Sequence, residues 1–582
     1  MLKRSLEGSA RRGSRTARLV PFVAALSLIG ASCGFSQPTV APATNQGSDG
    51  VPNATSVACP LPTTMPLQPG GWWTNRVFYE LFVRSFADAD GDGIGDLRGL
   101  TAHLDYLSDG AAATGDDLGV GGILLMPIFT SGSYHGYDII DYEQVDPRYG
   151  DLKSFAAFVD AAHRRDLEVV LDLVINHTSA DHPWFQDALA GGPHRDWYVW
   201  RDSDPGWPGV AGGSPWHETA SGWYYGAFGA GMPDLNLTNP AVTAEIERIA
   251  RLWLDRGVDG FRLDAAKHLI ETGPTAQVNT PETMAWLSSF RDAVHVSHPE
   301  ALVLGEVWEP RIVTSGYVAD GSLDMAFDFG FGPAALGAAR LGDAATLTSG
   351  IAELADRYRT GGVATFLTNH DQARAMTELR GNRVTAGLAA EALLTSPGVP
   401  FIYYGEEIGL QGAKPDEDIR APFPWTPTGP DYGFTTGAPW EPFGPGPQTA
   451  NVASESGDAG SLLTTYRTLL DVRNLIPALA RGSARRVDVA PRDLAVTLRW
   501  DGSHGALVIQ NLGDRPAESP MLNLASGPIC GQPHASVVYQ SGPGSETLVA
   551  ADPVIGPAGG LRDYVPLARV PAWTTVVIPL NP

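Results

Sequence analysis

The chain is poor in cysteine, in positive charge and in long apolar runs, and each shortage argues against a class of protein. Only three cysteines occur in 582 residues. Cys33, Cys59 and Cys530 form no CxxC pair and no cluster with histidine, so a structural zinc site is not expected. Forty Lys and Arg face 65 Asp and Glu, a formal net charge of -25. Such a surface stays soluble and repels phosphate backbones and anionic lipid, which argues against a nucleic-acid partner. No GxGxxG follows the first apolar strand, which argues against a doubly wound dinucleotide-binding sheet. The continuous apolar run at 19–29 is too short to span a bilayer.

That run belongs to a targeting segment. Lys3, Arg4, Arg11, Arg12, Arg15 and Arg18 precede it, and Gly30-Ala31-Ser32-Cys33 after it resembles a bacterial lipobox. Residues 1–33 therefore read as a lipoprotein-type signal ending at Cys33. The mature protein is expected to be extracytoplasmic, held to a membrane only by that lipid anchor, or secreted. With Cys33 lipidated, Cys59 and Cys530 remain, either as one disulfide in an oxidising compartment or as two thiols. Residues 34–71, rich in Pro, Ala, Thr, Ser, Asn and Gly, read as a flexible linker.

What is abundant is alternation of strand and helix patterns. Apolar, β-rich runs occur at 77–83, 122–126, 169–174, 258–263, 302–305, 325–329, 365–367 and 400–404. Helical patterns between them include 152–165, 242–256, 283–295, 344–358 and 385–395. Eight strands alternating with helices predict an α/β fold, a closed (β/α)8 TIM barrel over 72–476. The long stretch 178–239 after strand three, rich in Trp, Gly, Pro and His, predicts an inserted subdomain over the barrel rim. Pro477 is expected to end the helical pattern. Alternation at 494–500 and 506–510 predicts an antiparallel β-sandwich domain over 477–582.

Three acids end three of these strands: Asp264 on strand four, Glu306 on strand five and Asp371 on strand seven. In a parallel barrel those ends meet at one rim, where active sites are built. Arg262 lies two residues before Asp264, hence on the same strand face, and is expected to hold that carboxylate ionised. Glu306, beside Trp308, is expected to sit in a dry aromatic setting that raises its pKa and suits a general acid. The stretch from Asp172 to Asn176 and His177 ends strand three, and His370 precedes Asp371. Asp88, Asp90, Asp92 and Asp96 place oxygen donors at alternate positions of a Gly-rich loop, with the Ile94 carbonyl among them. That pattern predicts a Ca2+ loop, and Gly99 in place of a twelfth-position Glu separates it from an EF-hand.

From about Trp72 onward the chain resembles the α-amylase family, glycoside hydrolase family 13. The resemblance rests on GILLMPIF, DLVINH, GFRLDAAKH, GEVW, FLTNHD, MPDLN and GVPFIYYGEEIG. It implies Asp264 as nucleophile, Glu306 as acid/base and Asp371 as the residue that binds sugar hydroxyls and stabilises the transition state. It implies Arg262, His177 and His370 around the cleaved sugar, Tyr137 stacked on it, and Lys267 and His268 under the leaving group. It also matches Asp88, Asp90, Asp92, Ile94 and Asp96 to a calcium loop of the oligo-1,6-glucosidase and neopullulanase-like branches. Tyr134 stands where related α-glucosidases commonly carry Asp, and Ala265 replaces the Val of α-1,6 specialists. The expectation is a monomeric, retaining, endo-acting α-amylase on starch and maltooligosaccharides. The alternatives are an exo-α-glucosidase or oligo-1,6-glucosidase, and, because MPDLN resembles a group intermediate between those branches, a neopullulanase or glucanotransferase. A non-catalytic surface sugar-binding protein is disfavoured by the presence of all three acids.

Overall fold

The computed structural model describes residues 71–111, 115–210, 212–358, 362–502, 504–542 and 547–581. The expected signal segment with Cys33, the linker up to residue 70, and Cys59 lie outside the described residues. Among the described residues no helix is long and apolar enough to cross a membrane.

Eight parallel strands close into a barrel: β1 (Phe78–Leu81), β2 (Gly122–Leu125), β3 (Glu168–Leu173), β4 (Gly260–Leu263), β5 (Leu302–Gly305), β6 (Met325–Phe327), β7 (Val363–Phe366) and β8 (Val399–Tyr403). Each neighbours its sequence successor, and β8 returns to β1. The strands are buried on both faces, so they read as near-continuous apolar runs. One set of alternate residues, including Phe78, Leu124, Val170, Leu304, Phe366 and Phe401, fills the barrel interior. Phe78 and Phe401 stack there at 4.7 Å. The other set, including Ile123, Leu171, Phe261 and Ile402, packs on the helices. Four of the eight strands are shorter than the apolar runs that announced them, because burial continues past the last ladder hydrogen bond. The run 77–83, for instance, ends in the helix Val83–Phe86.

Helices begin where their caps stand. Asp151 closes a capping box at Leu152–His163. Asn239 with Pro240, and Thr280 with Pro281, start Pro240–Leu254 and Pro281–Ser297 two residues before the apolar periodicity begins. The region 178–239 contains the helix Pro183–Leu189 and the antiparallel sheet of Trp200–Arg201, Trp216–Thr219 and Gly222–Tyr225. A hairpin after β2, Phe129–Ser131 with Ile139–Val145, was not anticipated. Its register is irregular, and SGSYHGYD reads as loop.

The C-terminal region is antiparallel β. Leu494–Asp501, His504–Asn511 and Thr574–Asn581 form its central sheet. Smaller strands, among them Leu522–Leu524 and Leu561–Tyr564, close over a second core containing Val496, Leu507, Ile509 and Ile578. Pro477 does not end the helical region. It takes the first position of a further short helix, Pro477–Ala480, where a missing N–H costs nothing, and the first strand of the domain starts at Ser483. Cys530 is disulfide-bonded.

Two buried arginines tie this domain to the barrel, with no carboxylate partner among the described residues. Arg473 donates to the carbonyls of Leu394, Ser396, Gly398 and Ala480 at 2.7–3.1 Å. Arg499, from the β domain, donates to Thr395, Leu479 and Gly482. Both cap carbonyls at the ends of the helices Arg383–Thr395 and Pro477–Ala480, where the helix dipole favours a cation. Arg499→Met is expected to destabilise the protein by about 1–3 kcal/mol for each carbonyl left without its donor. A denaturant titration unchanged from wild type would refute that role.

Candidate active site

The site is built on neighbouring strand ends. Asp172 on β3 is register-paired with Arg262 on β4, and Leu304 on β5 pairs with Arg262 from the other side. The ladder continues past the assigned strand end, since the Glu306 amide donates to the Leu263 carbonyl at 3.0 Å. Asp172, Asp264 and Glu306 therefore face one guanidinium. Arg262 Nη1 lies 2.8 and 2.9 Å from the two Asp172 oxygens and 2.7 Å from Asp264 Oδ1, while Nη2 lies 2.9 Å from Glu306 Oε2. Arg262 is buried, and an unpaired charge could not be held there.

Burial pushes all three carboxyls up and Arg262 pulls them down, with burial prevailing; Asp172 is pushed up to about 7. Arg262 lowers Asp264, as expected from the sequence, but burial outweighs it. Trp308 does not supply the dry setting of Glu306 either. It is 47% exposed and stacks on Phe329 at 4.5 Å. Glu306 is raised by burial, opposed by Arg262, with the neighbouring Asp264 and Asp371 adding to the rise.

Ala265 has φ 48°, in the left-handed region. Its N–H donates to Glu306 Oε2 at 3.1 Å.

A second set of charges closes the rim from β7 and β1. His370 Nδ1 donates to Glu80 at the end of β1, and Nε2 lies 2.6 Å from the Tyr137 hydroxyl and 3.2 Å from Asp371 Oδ2. Tyr137 in turn donates to Asp172 Oδ2 at 2.9 Å. Glu80, His370, Tyr137, Asp172 and Arg262 thus form one chain of hydrogen bonds that reaches Asp264 and Glu306. Burial opposes the charge on His370, but Asp371 and Glu80 overcome it and push the imidazole up to about 10. Burial likewise works against ionisation of Asp371, yet His370 and Arg420 hold it far below the usual carboxylate range. Arg420 Nη2 lies 3.0 Å from Asp371 Oδ1.

The remaining expected site residues lie around this network. His177 and His268 are each pushed down to about 4 by burial and are neutral. Both rings contact Phe228, at 5.4 and 5.1 Å, and Phe228 is partly exposed. Lys267 is turned to Glu309 at 2.9 Å and to the Trp308 carbonyl at 2.8 Å. Tyr137 stacks on His370 at 5.6 Å, and Tyr134 stacks on Trp440 at 5.4 Å. Glu80, Asp172 and Arg420 were not assigned from sequence. The signal for Glu80 was present: a lone carboxylate inside the apolar run VFYELFV must find a buried partner.

In the loop before the helix Leu97–Ala102, the carboxylates of Asp88, Asp90 and Asp96 bring oxygens within 4.8 Å of one another. Asp92 is not in that group; its Oδ1 accepts the Ile94 N–H at 2.8 Å. Asp96 also caps the helix through the N–H groups of Arg98 and Gly99. Three convergent carboxylates fit a hard divalent cation.

A closed parallel barrel with three acids at its carboxyl rim and an arginine between them has the architecture of a barrel-enzyme active site. The chain belongs to the α-amylase family, glycoside hydrolase family 13: residues 80–482 match the family model for the alpha amylase catalytic domain. It is 37% identical over 452 residues to Alpha-amylase 3 of Dictyoglomus thermophilum, covering 76% of this chain and 85% of that protein. It is 34% identical over 514 residues to the trehalose synthase/amylase TreS of Mycobacterium tuberculosis, covering 78% and 84%. The solved α-amylase from H. orenii superposes with a TM-score of 0.76 at 38% identity, covering 87% of this chain and all of that one.

The His370 network sets a pH dependence. Its folded value near 10 lies above the ordinary value of 6.5. The stability it contributes is therefore complete below about pH 6.5 and lost as pH rises through about 10. Glu80→Gln is expected to lower that upper limit. The alkaline limb of kcat/KM and the alkaline fall in melting temperature should both move to lower pH. An unmoved alkaline limb would exclude His370 as the group it reports.

Proposed function

We propose that the protein is a retaining, endo-acting α-amylase that hydrolyses internal α-1,4 bonds of starch and maltooligosaccharides. The observation that carries this reading is the single buried guanidinium of Arg262 bridging Asp264 and Glu306. Two carboxyls bound to the two ends of one guanidinium support a closely spaced nucleophile and acid/base, the arrangement of a retaining enzyme. Asp264 attacks the anomeric carbon while Glu306 gives its proton to the leaving oxygen. A covalent glycosyl-enzyme forms, and Glu306, now a base, takes a proton from the water that releases the sugar with retained configuration. Asp371, held ionised by His370 and Arg420, accepts hydrogen bonds from the sugar hydroxyls.

An open cleft is supported by the exposed aromatic rings of Trp308 and Phe228 at the rim, which offer platforms for further glucose units. The similarity to a protein named trehalose synthase/amylase supports a transfer activity as the second reading. A maltoheptaose blocked at its non-reducing end separates endo from exo action, and a time course on amylose, pullulan and maltotriose separates hydrolysis from transfer. The expected outcome is cleavage of the blocked substrate with α-anomeric product by NMR. Glu306→Gln should lower kcat by about 10²–10⁴-fold, and Asp264→Asn should remove turnover. A β-anomeric product, or an Asp264→Asn variant that still degrades starch, would overturn the reading.

We also propose that Asp88, Asp90 and Asp96 bind Ca2+, with Asp92 and the Ile94 carbonyl completing the expected set. The bound ion would join the loop to the segment that includes Thr435, whose hydroxyl donates to Asp88. A chelator is expected to lower the melting temperature without changing kcat well below it, and Asp90→Asn should abolish the response. A chelator effect that survives Asp90→Asn would place the ion elsewhere. The basic, apolar and lipobox-like order of residues 1–33 supports a membrane-anchored extracytoplasmic location. The disulfide at Cys530 fits such an oxidising compartment.

A further inference from the structure

A groove of about 460 Å3 runs along the seam between the barrel's helical layer and the C-terminal β domain. One wall is formed by Arg340 and Leu341, at the end of the helix Phe331–Leu341, and by Asn382, the cap of the helix Arg383–Thr395. The other wall is formed by Asp493, Asp514 and Trp573 of the β domain. Its volume falls within the range of about 300–1,000 Å3 typical of small-ligand sites.

Trp573 is more than seam packing. It is 38% exposed, and its φ of 49° lies in the left-handed region, where a bulky aromatic residue is strained. A hydrogen bond from its N–H to the Gly513 carbonyl, 3.1 Å, holds the backbone in place. Strain of this kind persists at ligand clamps, where the surrounding structure enforces it. Arg340, Asp493 and Asp514 make no ion pair and no side-chain hydrogen bond among the described residues, although they line the same groove.

An exposed indole offers an apolar face to the C–H face of a pyranose. The carboxylates, the guanidinium and the free amide nitrogen of Asn382 offer donors and acceptors to its hydroxyls. Two carboxylates against one guanidinium disfavour an anionic ligand. The helix Arg383–Thr395 ends where β8 begins, at the base of the barrel, so its start at Asn382 lies toward the rim that carries the acids. We infer that this groove is a second α-glucan-binding site, distinct from the cleavage cleft, which holds polymeric substrate on the rim side of the enzyme. The identity of its ligand rests on the α-glucan reading above.

The test compares Asp264→Asn with the double variant Asp264→Asn/Trp573→Gly in binding to insoluble starch. Glycine accepts the left-handed backbone, so the double variant should still fold, which its melting curve checks. Its starch affinity is expected to be about five- to tenfold weaker, and Asp514→Ala in the same background should also weaken it. Equal starch affinity in a folded double variant overturns the inference while leaving the cleavage reading intact. Loss of a dimer, rather than of starch binding, overturns it in favour of a second copy of this chain. Wild-type enzyme that does not cleave maltoheptaose overturns both the cleavage reading and the ligand assigned here.

Discussion

The rim of this barrel is organised by one buried cation. Arg262 sits in the middle of the β3–β4–β5 ladder, where no water can solvate it, so its charge must be met by protein groups. The ladder register supplies them. Asp172 stands opposite Arg262 on β3, Asp264 follows it by one period of the same strand, and Glu306 follows the end of β5. A slip of one residue in either pairing would turn Arg262 or its partners into the helical layer. The reactive geometry therefore depends on the same hydrogen-bond register that closes the barrel.

The opposite side of the rim repeats this logic with different residues. Glu80, from β1, and Asp371, after β7, flank His370, and Tyr137 crosses from the hairpin after β2 to join His370 to Asp172. Tyr137 is thus the link between the two charge clusters as well as a candidate sugar platform. A Phe at this position would keep the ring and break the connection. Its hydroxyl is therefore a structural component of the acid network.

Much of this could be read from residue order. Eight apolar runs separated by helical periodicity define the barrel, and the three acids stand out because each follows a strand. What could not be read was partnership. Asp264 and Arg262 are near neighbours in sequence, so their contact was foreseeable, whereas Arg420 reaches Asp371 from 49 residues away on a loop whose sequence carries no periodic signal. Trp308 was misplaced for a related reason: adjacency to Glu306 in sequence does not decide which way a ring turns, and here it turns to Phe329. The hairpin at 129–145 escaped notice because its bulges break the alternation by which strands are recognised. The helix Leu462–Leu475 does stop just before Pro477, but proline also starts helices, and here it opens the short helix Pro477–Ala480.

The charge balance of the site explains why Asp172, Asp264 and Glu306 are all raised. Five carboxylates, Asp172, Asp264, Glu306, Asp371 and Glu80, meet three cations, Arg262, Arg420 and His370. In a buried region that excess of negative charge is costly, and the least costly relief is to bind protons. Asp172, Asp264 and Glu306 are raised together, and coupled carboxyls share protons as a set. The same excess is an asset when the glycosidic bond breaks. The sugar then carries positive charge, and an anionic site already in place stabilises it without reorganisation. The feature that strains the resting site thus serves the transition state, and replacing Asp172 with a neutral residue would relax the one by weakening the other.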